Sequence, residues 1–115
     1  MLANSGFEKE FAQLLRETYP ALSFREQFPV KFRRQQLYFD FCIPALRVLV
    51  EIQGPQHYKF NAFFHRDGDS YRAALRRDRL KAEWSELDDW RLIVIPYTSF
   101  PMTTKDLAEV ISPHV

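Results

Sequence analysis

Apolar and polar positions alternate along the 115 residues with periods that change from helix to strand and back. Phe7, Phe11, Leu14 and Leu15 recur at helical spacing, which predicts a helix over 5–19 with Ser5 and Glu8 forming a capping box. Pro20 ends it, and 24–32 follows as a strand interrupted or frayed at Pro29. The stretch 37–58, LYFDFCIPALRVLVEIQGPQHY, contains two runs rich in β-branched and aromatic residues, joined at Pro44-Ala45 as strand, turn and strand. A second helix is predicted over 71–86, capped by Asp69 or Ser70, with Ala73, Leu80, Trp84 and Leu87 along one stripe. WRLIVIPY at 90–97 lacks alternation, as expected of a strand covered on both faces. Thr103 or Thr104 then caps a closing helix with Leu107, Val110 and Ile111 toward the core. This order predicts a single α/β domain over 1–115, a mixed central β-sheet flanked by helices.

Two residues break the apolar pattern. Asp40 stands between Phe39 and Phe41, and Glu51 between Val50 and Ile52, where carboxylates are seldom buried without a partner. A turn at Pro44-Ala45 sets Asp40 opposite Val50 or Glu51, with the two Cβ atoms roughly 5 to 8 Å apart. Each acid can be balanced by an ordinary ion pair with Arg47 or Arg91, or both by one shared divalent cation. Gln53 lies two residues past Glu51 and therefore on the same strand face, and Gly54-Pro55 ends the strand and brings His57 beside that face.

At these residues the chain resembles the PD-(D/E)xK nuclease superfamily, in the branch near the very-short-patch-repair endonucleases. The resemblance rests on Asp40-Phe41 before the turn, on Glu51-Ile52-Gln53-Gly54-Pro55-Gln56-His57-Tyr58 after it, and on Asp78-Arg79-Leu80-Lys81 ahead of the last strand. It implies a restriction-endonuclease-like core, with Mg²⁺ (Mn²⁺ substituting) held by Asp40, Glu51 and the Ile52 carbonyl, and with Gln53 in the position of the water-orienting lysine. It implies a proton-moving role for His57, a metal-proximal role for Glu8 on the first helix, and inward positions for Asp78 and Lys81, Lys81 supplying the amine that Gln53 lacks. Phe39 and Gln53 depart from the Pro and Lys of the superfamily pattern. The activity implied is Mg²⁺-dependent endonucleolytic hydrolysis of DNA, of homing or repair type. Loss of cleavage in a nuclease-fold DNA-binding domain and a Holliday-junction resolvase-like activity are the alternatives.

Composition narrows the setting. A formal charge of +1 makes no polybasic footprint, so DNA contact requires a local patch. Lys59, Arg72, Arg76 and Arg79 are the candidates, the three arginines because basic residues in the first half of a helix oppose its dipole and suit phosphates. Lys31, Arg33 and Arg34 read as a solvated basic turn, and Phe60, Phe63 and Phe64 as core or interface aromatics. The lone Cys42 cannot form an internal disulfide, and Cys42 with three histidines lacks zinc-ligand spacing. No segment has the length of a membrane span or a signal-peptide pattern, so an intracellular, cytoplasmic protein is expected. No separate DNA-reading module is evident, leaving specificity to loops, a homodimer or a partner protein.

Overall fold

The computed structural model describes residues 6–54 and 68–115. Helix α1 spans Gly6–Thr18, followed by strands β1 (Arg25–Phe32), β2 (Gln35–Ile43) and β3 (Val48–Gln53), helix α2 (Gly68–Leu87), strand β4 (Arg91–Pro96) and helix α3 (Thr104–Ile111). The strands form one sheet in the order β1-β2-β3-β4, antiparallel at the first two junctions and parallel between β3 and β4. Antiparallel neighbours are joined by short turns. The parallel pair needs a crossover, and α2 lies within it.

Each turn has a local cause. Pro44–Leu46 makes one 3-10 turn, after which Arg47 takes φ 55° and lets Ile43 pair with Val48. Between β1 and β2, Arg33 and Arg34 adopt φ 49° and 65°, the two left-handed positions of a tight hairpin turn. Arg33 is not merely solvated there. Its guanidinium makes paired bonds to Glu83 of α2 at 3.2 and 2.7 Å and lies over the Phe32 ring. Pro29 does not interrupt β1, since it sits in register with Tyr38, and an edge strand tolerates a missing N–H.

The sheet is packed on both faces. On one side α1 and α3 supply Phe11, Leu14, Leu15, Leu107 and Ile111 against Phe41, Ile43, Val48, Val50 and Ile95. On the other, Leu80 and Trp84 of α2 cover Val30, Leu37, Phe39, Cys42 and Leu49. Thr103 and Asp106 close a reciprocal capping box at the start of α3, at 3.1 and 2.9 Å. Glu10 of α1 accepts the Met102 amide at 2.7 Å, tying α1 to the segment that leads into α3. Phe41 contacts Phe11 and Phe24 with ring centroids 4.9 and 5.9 Å apart. Phe41→Ala is accordingly expected to cost roughly 3 to 5 kcal/mol in urea unfolding.

Several sequence expectations shift. β4 is covered on both faces only in part: Ile93 and Ile95 join one core and Leu92 the other, but among the described residues the strand is the sheet edge and Val94 remains 47% exposed. Helix α2 starts at Gly68, so Ser70 lies in its first turn rather than ahead of it. Leu87 ends that helix 68% exposed instead of joining the stripe, because the chain turns away at Asp89, φ 59°. The Ser5 and Asp69 capping roles, and the residues Phe60, Phe63 and Phe64, fall outside the described side chains. Among the described residues no helix is long and apolar enough to cross a membrane.

Candidate functional site

The acids meet where the sheet divides. The β2–β3 ladder ends at Phe41↔Val50, while β2 continues alongside β1 and β3 continues alongside β4. The next pair in that register is Asp40 and Glu51, and their carboxylates replace the missing backbone ladder. Asp40 Oδ2 accepts the Ile52 N–H at 2.7 Å, and Glu51 Oε2 accepts the Asp40 N–H at 2.8 Å. Two buried N–H groups that the parting strands would orphan are thereby satisfied.

A change of phase accompanies the fork. Leu37 and Phe39 of β2 face α2, whereas Phe41 and Ile43 face α1 and α3, although strict alternation would put all four on one side. Phe24, just ahead of β1, and Phe28 within it divide between the faces in the same way. The flip falls at Asp40 and at Gln27, which lies between the registered pairs Glu26↔Phe41 and Phe28↔Phe39 and has φ 51°.

Three further groups converge on the fork. Lys81 of α2 places Nζ 2.5 Å from Glu51 Oε1, the two side chains being 16% and 12% exposed. Neither arginine weighed as a partner takes that place: Arg47 stacks on Trp90 and bonds to the carbonyls of Asp88 and Asp89, and Arg91 is exposed. From α1, Glu8 Oε1 accepts the Gln27 side-chain amide at 2.7 Å, and the same Nε2 lies 3.5 Å from Asp40 Oδ1. Glu8 thus belongs to the acid cluster, and Gln27 is a site residue that no sequence pattern marked. Asp78 is half-buried one helical turn before Lys81, and Gln53 is half-buried two residues past Glu51, beside Pro96. Arg72, Arg76 and Arg79 are exposed on α2. His57 and Lys59 lie outside the described residues.

The electrostatics follow from this crowding. Burial, then the charge of Glu51 and more weakly that of Glu8, raise the Asp40 pKa from 3.8 to about 8, against the lowering effects of the Ile52 N–H bond and Lys81. Formally, three carboxylates (Glu8, Asp40, Glu51) face one ammonium (Lys81), leaving the cluster two negative charges in excess. Such a site takes up either protons or a cation. Its donors are hard oxygens, which suit Mg²⁺ or Mn²⁺. Among the described residues, however, no group of three His, Cys, Asp or Glu side chains converges closely enough to hold a metal ion.

No family model matches the chain. It is similar to "Uncharacterized protein 307L" of Invertebrate iridescent virus 6, 39% identical over 62 residues that cover 54% of this chain and 32% of that protein. It is likewise similar to "Uncharacterized protein 033L" of Invertebrate iridescent virus 3, with 39% identity over 62 residues and the same coverage of each chain. The matched stretch is thus about a third of the length of these curated relatives. What fold and site define together is an α/β domain with a mixed four-stranded sheet and an acid cluster at the fork between β2 and β3.

Proposed function

We propose that this domain is a metal-dependent endodeoxyribonuclease with a restriction-endonuclease-like core, of the PD-(D/E)xK type. The observation that carries the reading is the pairing of Asp40 and Glu51 on adjacent strands, with Lys81 of the following helix on Glu51. A carboxyl pair crowded enough to keep Asp40 protonated at neutral pH is suited to a divalent cation, whose charge removes the repulsion.

In this reading Asp40, Glu51 and the Ile52 carbonyl hold Mg²⁺, or Mn²⁺ in its place. The ion, when bound, polarises a phosphoryl oxygen and lowers the pKa of a water. Lys81 supplies the amine that Gln53 lacks, holding Glu51 in place and offering N–H donors to a phosphate oxygen, while Gln53 orients the water by hydrogen bonding. His57, with an unperturbed pKa near 6.5, moves the proton. Arg72, Arg76 and Arg79 of α2, with Lys59, contact the DNA backbone, and a second subunit or a partner protein contributes specificity.

A plasmid-nicking assay tests this. Wild type is expected to nick in Mg²⁺ and in Mn²⁺ and to stop in chelator, with strong loss in Asp40→Ala, Glu51→Ala and His57→Ala. Equal activity in all four proteins would sink the proposal. DNA binding that persists in Asp40→Asn, with no nicking by wild type in either ion, would favour the alternative of a nuclease-fold domain that binds without cutting.

A further inference from the structure

Gln27 is held in a costly conformation at the point where β1 changes face. Its φ of 51° belongs to the left-handed region, which L residues other than Asn and Asp seldom adopt. No turn requires it, since β1 runs on in both directions. No inserted residue requires it either, because one residue separates Glu26 from Phe28 on β1 and one separates Phe41 from Phe39 on β2. Backbone strain of this kind persists where surrounding structure enforces it, and it gathers at functional sites.

Besides the change of face, the conformation makes a contact. It aims the side chain at the fork, where one Nε2 lies 2.7 Å from Glu8 Oε1 and 3.5 Å from Asp40 Oδ1. A primary amide has two N–H donors, one for each carboxylate, and no charge. A lysine or arginine there would neutralise the acids and compete with a cation, and a carboxylate would add repulsion. The neutral amide can hold two acids together while leaving their charge available.

We infer that Gln27 is a positioning residue: its amide links Glu8 of α1 to Asp40 of β2 and fixes the orientation of the Asp40 carboxyl, so that Oδ2 stays on the Ile52 amide. The orienting role stands on geometry alone, and its value to a bound cation rests on the nuclease reading. Gln27→Gly suits the test because glycine adopts this backbone without strain while the side chain that carries the amide is removed. Gln27→Asn keeps both an amide and tolerance of positive φ.

Three measurements on the full chain separate the outcomes. In Gln27→Gly the thermal midpoint is expected to hold or rise. Exchange of the Ile52 amide hydrogen is expected to quicken roughly tenfold, while Leu49 and Val50 stay protected. Mn²⁺ binding, titrated calorimetrically without DNA, is expected to weaken, and Gln27→Asn to recover part of both effects. Unchanged Ile52 exchange in Gln27→Gly overturns the inference, as does a fall in thermal midpoint with uniform loss of protection, which would mark a purely structural role. A wild-type protein that neither binds Mn²⁺ nor nicks DNA removes the nuclease reading, while selective loosening of Ile52 would still establish the orienting role.

Discussion

Asp40→Asn is expected to cut nicking severely and at the same time to make the protein more stable at pH 8. The stability effect follows from the sign of the pKa shift. The Asp40 carboxyl titrates at about 8 in the fold against an ordinary 3.8, so between those values the native state holds a proton that the unfolded chain has released. Its contribution is complete below about pH 4 and is lost as pH rises through about 8. Wild-type stability should therefore decline across that window, and the asparagine variant should lack this part of the decline. Asparagine is nearly isosteric and its carbonyl can still accept the Ile52 N–H, so the gain at pH 8 is on the order of a few kcal/mol. Mg²⁺ or Mn²⁺ should restore stability to wild type and do little for Asp40→Asn, because only a ligand that binds the folded state shifts the equilibrium. Activity should fall by about a hundredfold to a thousandfold through loss of a preorganised charge. Urea denaturation from pH 4 to 9, with and without the ion, checks the stability claim. A variant no more stable than wild type at pH 8 would show that Asp40 is ionised without a cation.

The second large effect belongs to Lys81. Its pair with Glu51 is only 16% and 12% exposed, so removing one partner leaves an uncompensated charge with little access to water. Lys81→Met keeps the stem volume beside Phe39, whose ring the ammonium now overlies, and isolates the loss of charge. We expect a cost of roughly 3 kcal/mol in urea unfolding. The double variant Lys81→Met with Glu51→Gln should regain most of it, since a neutral pair there costs less than a lone ion. Both variants should be inactive, which separates the chemistry from the stability. If Lys81→Met costs less than about 0.5 kcal/mol, the pair behaves as a screened surface bridge.

Much of the framework was legible before any coordinates. The apolar repeat of Phe11, Leu14 and Leu15 and that of Leu107 and Ile111 identify α1 and α3, and these residues form one core. Pro44-Ala45 locates the hairpin turn, and antiparallel pairing from it sets Asp40 opposite Val50 or Glu51, of which the register Phe41 with Val50 selects Glu51. Less legible was the edge position of β4, because an apolar run does not reveal how many strands flank it. The partner of Glu51 was open as well: Arg47, Arg91 and a shared cation were the alternatives, and the group that meets it is the Lys81 ammonium. Gln27 gave no signal, since it stands in a strand as an ordinary polar residue and acts only through a backbone angle and two distant carboxylates.

The chain alone determined which segments become helix or strand, where they turn, and that two acids share one hairpin, because these depend on residues only a few positions apart. Tertiary structure decided the rest. It parted β2 from β3 beyond Phe41, turned β1 and β2 over at Gln27 and Asp40, and brought Glu8 and Lys81 to the fork from opposite faces of the sheet. Those choices depend on which helix covers which face, a contest among contacts distant in sequence, and no local period encodes its outcome.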